Sequence, residues 1–438
     1  MSTIHPVELL RFNTCGSVDD GKSTLIGRLL YDTKSLMEDQ IEALERSADI
    51  TGGGQINLAN LTDGLRAERE QGITIDVAYR YFATPRRKFI VADTPGHIQY
   101  TRNMVTGAST ANLSVILVDA RHGVIEQTRR HTCIAALLGI PHLVVAVNKM
   151  DLVDWSEERF LEIRDGVEGF LPKLDAVNDV KFIPISALSG ENVVTLSEKT
   201  PWYQGPSLLN HLETVHIASD WNLSAFRLPV QWVNRPNNPT DPLLHDFRGL
   251  SGQIAGGIVR KGDRMMVLPS GLSSTVKRIW TLDGELEEAF SPQSVTICLE
   301  DNLDVSRGDT LVGVEGLPGM GTEVRARVCW MHPRPLQAGN KYLIKHTTQT
   351  VQAVVASLES RIDIRTFEHE PAPAQLAMND IGEIRLRTAK PLIFDGYNSN
   401  RLTGSFILIE AGTNHTVAAG MLFPPTEPFK LEYNDFAI

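Results

Sequence analysis

The chain has 438 residues, too many for one hydrophobic core, so two or three domains are expected. Its hydrophobic content of 42% and charged content of 22% are typical of a globular protein, and its net charge of −11 argues against a general nucleic-acid or membrane surface. The four cysteines are too few and too far apart for a disulfide framework or a metal knuckle, so a cytoplasmic setting is expected. No apolar run approaches the ~18 residues of a membrane-spanning helix.

The first segment that predicts a binding site is Gly16–Thr24, G-S-V-D-D-G-K-S-T, which fits the pattern G-x-x-x-x-G-K-[ST]. It lies between a predicted strand, Arg11–Cys15, and a predicted helix, Ser23–Asp32. The backbone N–H groups of such a loop and the N-terminus of the following helix form an anion site suited to phosphate. Lys22 can then reach the β- and γ-phosphates, and Ser23 offers a hydroxyl to Mg²⁺. An ordinary glycine-rich turn is the alternative.

Strand and helix patterns alternate over the next 170 or so residues. An amphipathic helix is predicted over Ser35–Ile50 and a charged helical segment over Asp63–Glu70. The basic turn Arg86–Lys88 is predicted to be solvated. Apolar or alternating runs predict further strands that end at Phe82, Ala92, Val118, Val147 and Ile185. The alternation predicts a parallel sheet with helices on both faces.

Polar motifs follow three of these strands. They are Asp93–His97 (D-T-P-G-H), Asn148–Asp151 (N-K-M-D) and Ser186–Leu188 (S-A-L). Ligands of α/β sheets bind at the carboxyl ends of the strands, where these motifs are placed. Each motif alone is compatible with an ordinary loop, but their joint occurrence in this order indicates one common site.

From Arg227 onward the pattern changes to short alternating runs separated by turn signals. The runs are Leu228–Val233, Arg264–Leu268, Thr275–Trp280 and Thr296–Glu300. Their spacing predicts a small antiparallel barrel, and a second β unit is predicted from Val324 to Phe423. The predicted domains are therefore residues 1–220, 225–320 and 322–438.

The motifs, with Gly72–Thr74, resemble the five guanine-nucleotide motifs of translation-factor-type GTPases, in which two β-barrels also follow the nucleotide domain. Three segments resemble one family in particular, the large, GTP-binding subunit of bacterial sulfate adenylyltransferase. They are Val18–Asp32, Ala67–Phe82 and Asn234–Pro236. The resemblance implies an α/β P-loop GTPase domain with a mostly parallel sheet, followed by two antiparallel β-barrel domains.

The same resemblance implies GTP and Mg²⁺ as cofactors. It implies that GTP hydrolysis is coupled to the synthesis of adenylyl sulfate and pyrophosphate from ATP and sulfate. That synthesis is expected on a separate small catalytic subunit, in a heterodimer or a higher assembly. Neither nucleic acid nor a membrane is expected as a partner.

Site residues follow from the resemblance, motif by motif. The phosphates are expected to be bound by the residues of the loop, Gly16, Ser17, Val18, Asp19, Asp20, Gly21, Lys22, Ser23 and Thr24. Mg²⁺ is expected on Ser23 and Thr74, with Asp93 holding a metal-bound water. The N–H of Gly96 meets the γ-phosphate and His97 positions the attacking water. Catalytic roles are therefore expected for His97, Thr74 and Lys22.

The guanine base is assigned to the last two motifs. Asp151 accepts bonds from guanine N1–H and N2–H₂, which adenine cannot supply. Asn148 reaches guanine N7, and Lys149 packs along the base. In the segment Ser186, Ala187 and Leu188, the Ala187 N–H is expected to reach guanine O6.

The alternative function is an elongation-type GTPase that carries aminoacyl-tRNA. Two features argue against it: the last barrel matches tRNA-binding factors poorly, and Asp20 stands where Tu-type factors usually have histidine. The charge of Asp20 is expected to weaken nucleotide binding unless it faces solvent or a lysine. No second G-x-x-x-x-G-K-[ST] occurs, so adenylylsulfate kinase activity is not expected from this chain.

Overall fold

The computed structural model describes residues 8–36, 42, 58, 74, 76–97, 100–174, 179–217, 222–236 and 247–426. The chain forms two compact units, residues 1–217 with 364–368 and residues 218–363 with 369–438. The helices predicted over Ser35–Ile50 and Asp63–Glu70 fall almost entirely outside the described residues. None of the described helices has the length and apolar character needed to cross a bilayer.

The first unit contains a six-stranded sheet. Its strands are β1 (Leu9–Cys15), β2 (Ala78–Ala83), β3 (Lys88–Asp93), β4 (Leu113–Asp119), β5 (His142–Asn148) and β6 (Asp179–Pro184). They lie in the order β2-β3-β1-β4-β5-β6 across the sheet. Every neighbouring pair is parallel except β2 with β3. The mostly parallel sheet is therefore confirmed. Strand β2 runs antiparallel because only a tight turn joins it to β3, and a parallel pair needs a long crossover.

Helices connect the parallel strands and cover the sheet. They are α1 (Lys22–Asp32), α2 (Thr101–Ala108), α3 (Glu126–Leu137), α4 (Glu157–Glu168) and α5 (Leu208–Thr214). Leu25 and Leu29 of α1 pack with Phe12 of β1 and Leu117 of β4 in one core, each at most 1% exposed. Burying such a side chain contributes about 1.5–3 kcal/mol. This packing fixes α1 against the sheet and places its N-terminus at the carboxyl ends of β1 and β4.

The turn between β2 and β3 is not fully solvated, so the prediction for Arg86–Lys88 is wrong at Arg87. Arg87 is 5% exposed, and its Nη1 donates to the carbonyls of Leu212 (3.0 Å) and Val215 (2.7 Å). Its Nη2 also pairs with Glu8. The last carbonyls of a helix lack partners within the helix, and this guanidinium supplies donors at the end of α5.

The second unit begins with an antiparallel barrel. Its strands are β7 (Arg227–Pro229), β8 (Trp232–Asn234), β9 (Gly249–Gln253), β10 (Ile258–Arg260), β11 (Arg264–Leu268), β12 (Leu272–Thr281), β13 (Gly284–Leu286), β14 (Glu288–Phe290), β15 (Ser294–Leu299) and β16 (Thr310–Gly313). The main sheet has the order β7-β16-β11-β12-β15-β9-β8, β13 pairs with β12, and β10 pairs with β14 in a separate sheet. Backbone bonds from Arg227 N to Gly256 O and from Ala255 N to Arg227 O bring the chain after β9 against β7. Leu228, Ile279 and Leu311 are fully buried inside.

A second antiparallel barrel follows. It consists of β17 (Gly319–Trp330), β18 (Lys341–His346), β19 (Gln349–Ile362), β20 (His369–Pro371), β21 (Ile381–Phe394), a short helix α6 (Arg401–Gly404), β22 (Ser405–Ile409) and β23 (Thr416–Leu422). The barrel closes because β18 pairs with both β22 and β19. Closure removes the unpaired edges that an open sheet would present. The two predicted antiparallel barrels are confirmed.

An ion pair between a buried arginine and a partly buried aspartate connects the two barrels of the second unit. Arg227 in β7 is 2% exposed and contacts Asp395, just after β21, through Nε (3.0 Å) and Nη2 (2.9 Å). The Thr403 hydroxyl donates to the same carboxylate at 2.7 Å, and Arg227 Nη2 also donates to the carbonyl of Gly316 at 2.6 Å. The two-pronged geometry orients both side chains and joins the barrels at one point.

Candidate functional site

The loop Gly16–Thr24 has the backbone geometry that its glycines permit. Gly21 adopts φ 91°, and a Cβ there would lie 2.5 Å from Asn148 Nδ2. A Cβ on Gly16 would lie 3.0 Å from the carbonyl of Leu117. Gly21 therefore requires glycine, while a side chain at Gly16 would need Leu117 to shift by a few tenths of an ångström. Helix α1 begins at Lys22, so the free N–H groups of its first turn continue those of the loop.

The loop residues differ in exposure. Gly16, Asp20 and Lys22 are buried, Asp19 is exposed, and Ser17, Val18, Gly21, Ser23 and Thr24 are half-buried. Lys22 Nζ donates to the carbonyls of Gly16 (2.9 Å) and Ser17 (2.8 Å). Burial lowers the pKa of Lys22, and the negative charge of Asp93 opposes that shift. These carbonyls use two of the three N–H donors of the ammonium group, so a phosphate oxygen can accept from the third.

The segment Asp93–His97 lies directly against the loop. Asp93 ends β3 and is 2% exposed. A Cβ on Gly96 would lie 2.3 Å from the Gly16 carbonyl oxygen and 2.6 Å from Lys22 Nζ, so no larger residue fits. His97 comes next, half-buried, with its ring centroid 6.1 Å from that of Tyr100.

The residues expected to hold Mg²⁺ supply oxygen donors of the right kind. Ser23 is half-buried in the first turn of α1, Asp93 is buried beside Lys22, and Thr74 is half-buried. Hydroxyl and carboxylate oxygens are the ligands that Mg²⁺ prefers. Gly72, Ile73 and Ile75 around Thr74 lie outside the described residues. Among the described residues there is no group of three or more His, Cys, Asp or Glu that would suit another metal.

Asn148 connects three segments of the site. Its Nδ2 donates to the carbonyl of Asp20 at 2.7 Å, and its Oδ1 accepts from the Ala187 N–H at 2.9 Å. The side chain, at the end of β5, is 2% exposed. Because the Ala187 N–H is already bonded to Asn148, its expected contact with guanine O6 requires that this donor be shared or exchanged.

Lys149 makes a second connection, through a residue that the sequence analysis missed. Lys149 Nζ lies 3.0 Å from Asp119 Oδ2 and also donates to the carbonyl of Asp19. Asp119 ends β4, is 2% exposed, and accepts from Arg121 Nε (3.0 Å) and Nη2 (2.7 Å). Burial raises the pKa of Asp119, but the bonds from Arg121 and Lys149 outweigh it and hold that pKa well below its usual range. Its position directly after an apolar strand, like that of Asp93, was the signal available in the sequence.

The remaining residues expected to bind the guanine base lie after the ends of β5 and β6. Asp151 is half-buried in a 3-10 turn, Met150–Val153, while Ser186 is 1% and Leu188 56% exposed. A second missed residue, Arg28 of α1, donates through Nε to the Ala187 carbonyl at 3.3 Å and through Nη2 to that of Leu188. The helix that follows the phosphate loop thus also holds the Ser186–Leu188 segment.

Comparisons with known proteins agree with these motifs. Residues 7–212 match the Elongation factor Tu GTP binding domain family, and residues 323–422 match the GTP-eEF1A C-terminal domain-like family. Sulfate adenylyltransferase subunit 1 of Bacteroides fragilis is 57% identical over 422 residues, covering 96% of this chain and 87% of the relative. The protein of the same name in Bacteroides thetaiotaomicron is 55% identical, with coverages of 96% and 87%. The bifunctional enzyme CysN/CysC of Mycobacterium tuberculosis is 55% identical, with coverages of 94% and 67%.

Proposed function

Because the chain belongs to the sulfate adenylyltransferase subunit 1 family, we propose that it hydrolyses GTP and couples this hydrolysis to sulfate activation on a partner subunit. The observation that carries the proposal is the 57% identity over 96% of the chain. The arrangement of the site supports it, since the phosphate loop, Asp93–His97 and Asn148–Asp151 meet at one edge of the sheet. The four cysteines are free and buried, which suits the reducing cytoplasm proposed as its setting.

The proposed reaction assigns each part of the site a task. The loop N–H groups and Lys22 bind the phosphates, and Gly96 allows the D-T-P-G-H segment to approach them. Bound Mg²⁺ would neutralise charge on the β- and γ-phosphate oxygens, and Ser23, Thr74 and Asp93 are the residues proposed to hold it. His97 orients the water that attacks the γ-phosphate.

Replacement of Asp151 by asparagine is expected to weaken GTP binding by about 2–4 kcal/mol, because a charge-assisted pair is lost and the new amide faces a donor. Xanthosine triphosphate should bind better than before, since its C2 carbonyl accepts what the amide donates. Dissociation constants for both nucleotides measure the switch. Asp154→Asn, at an exposed position three residues on, is the matched control. An unchanged preference for GTP in Asp151→Asn would show that the base lies elsewhere.

The partner is proposed to be a small catalytic subunit that holds ATP and sulfate. The names of the relatives, subunit 1, indicate that those proteins work with another subunit. Formation of a phosphate–sulfate anhydride is strongly unfavourable, so coupling to GTP hydrolysis gives the reaction a driving force. The five nucleotide motifs contain no arginine to neutralise transition-state charge, a contribution that partners of GTPases often make.

We therefore expect the lone chain to hydrolyse GTP slowly and the small subunit to accelerate hydrolysis about 10³–10⁵-fold. Linkage requires that GTP then strengthen subunit association relative to GDP. The test measures hydrolysis with and without the small subunit, ATP and sulfate, and subunit affinity with a non-hydrolysable GTP analogue against GDP. Full-speed hydrolysis by the lone chain, nucleotide-independent association and salt-dependent tRNA binding would instead favour the tRNA carrier.

A further inference from the structure

Asp20 is the loop residue whose effect the sequence left open, and the structure buries it. Its side chain is 4% exposed, and Oδ2 accepts a hydrogen bond from the Ser17 N–H at 2.5 Å. A Cβ on Gly16 would lie 3.2 Å from the same oxygen and 3.0 Å from Leu117 of β4, so the carboxylate lies on the sheet side of the loop. The Asp20 carboxylate therefore binds the loop from the side that faces the sheet.

The charges around Asp20 do not cancel its own. Burial raises the pKa of the Asp20 carboxyl, while the bond from Ser17 and the charge of Lys22 act in the opposite direction. Asp119 of β4 adds a like charge, and Lys149 after β5 adds an opposite one. Of the two lysines, Lys22 has the larger effect, and its Nζ also donates to the carbonyls of Gly16 and Ser17. Burial has a larger effect than any of these groups, so the negative charge of Asp20 is incompletely compensated.

A bound nucleotide would place several negative charges on the other side of this loop. Those charges and Asp20 would share one lysine, Lys22, and would repel each other across a layer of backbone. Charges separated by several ångströms in a poorly hydrated site interact by an amount that changes binding about tenfold or more. The Ser17 bond, by contrast, keeps the loop formed when no ligand is present.

We propose that Asp20 sets the nucleotide affinity of this site: its carboxylate keeps the phosphate loop formed, and its charge weakens phosphate binding so that the product is released. The proposal rests on the proposed function, since it presupposes that the loop binds a guanine nucleotide. It concerns GDP and GTP alike, because both place phosphates on the loop.

The test compares Asp20→Asn, Asp20→Ala and the exposed control Asp165→Asn in the full chain with Mg²⁺. Asp20→Asn keeps an acceptor for Ser17 and removes the charge, so GDP should bind about tenfold more tightly and dissociate more slowly. Asp20→Ala also loses the acceptor and should bind more weakly than Asp20→Asn. Asp165→Asn should match the unaltered chain. Equal or weaker GDP binding by Asp20→Asn would overturn the proposal.

A pH series gives a readout that a purely structural role would not change. A bound polyphosphate should raise the pKa of Asp20 further, so binding takes up a proton and affinity increases as the pH falls. This contribution should be present in the unaltered chain and absent from Asp20→Asn, with the titration of the nucleotide common to both. Identical pH profiles for Asp20→Asn and the unaltered chain would contradict the proposal for Asp20 but not the proposed function. If the unaltered chain bound no guanine nucleotide, the proposed function would be overturned as well.

Discussion

Replacement of His97 by alanine is expected to leave GTP binding unchanged and to lower the rate of GTP hydrolysis by about 10²–10⁴. His97 directly follows Gly96, whose backbone lies against the Gly16 carbonyl and Lys22 Nζ. We expect a side chain at that point to orient the attacking water without contributing to GTP binding. Single-turnover hydrolysis with the partner subunit present, together with a dissociation constant for a GTP analogue, separates the two effects.

His216 provides the matched control, because it is an exposed histidine of the same unit, and His216→Ala should hydrolyse GTP at the normal rate. His97→Gln keeps a hydrogen-bonding group and should retain part of the activity. If the partner subunit stimulated hydrolysis by His97→Ala to the normal rate, His97 would have only a packing role beside Tyr100. A parallel loss of binding and rate would indicate that the D-T-P-G-H segment had been displaced.

Replacement of Arg227 by methionine is expected to destabilise the second unit by about 3–5 kcal/mol. The change leaves the Asp395 carboxylate, whose side chain is only 16% exposed, without its two-pronged partner. The Gly316 carbonyl loses a donor as well. Hydrogen exchange of the barrel strands in the full chain measures the effect, since it reports each unit separately. Exchange in β1 and β4 of the first unit should not change.

Two further variants test whether loss of the ion pair causes the loss of stability. Arg260→Met removes an exposed partner of Glu288 and should cost at most about 1 kcal/mol. Arg227→Met combined with Asp395→Leu removes both charges and should recover part of the lost stability, because no buried charge remains unpaired. If Arg227→Met proved as mild as Arg260→Met, the ion pair would contribute little to the stability of the second unit.

The features that depend on a local residue pattern, such as strand bounds and the phosphate loop, were predicted well from the sequence. Strand β11 has the predicted bounds, Arg264–Leu268, and β4 ends one residue after the predicted end at Val118. The phosphate loop, with Gly21 at positive φ, follows from residues that are adjacent in the chain. Because the motif is contiguous in the chain, the position of the loop could be predicted without knowledge of its distant contacts.

What the sequence did not predict depends on contacts between distant residues. Arg87 looked like a solvated turn residue, yet it binds carbonyls of α5 more than 120 residues later. Arg28 lies in the predicted helix Ser23–Asp32, and its contact with the Ala187 carbonyl spans 159 residues. The pairing of Asp119 with Lys149 likewise requires β4 and β5 to be neighbours. No local pattern indicates which carbonyl or carboxylate such a side chain will meet.

The double hydrogen bond of Asn148 couples the two segments proposed to bind the two halves of a nucleotide. One amide donates to the Asp20 carbonyl in the phosphate loop and accepts from the Ala187 N–H in the proposed base segment. A base that takes either partner from this amide also changes how the amide holds the other segment. We therefore expect occupancy of the base site to alter the affinity of the loop for phosphate. The affinity for inorganic polyphosphate, measured with and without a nucleoside present, reports this coupling.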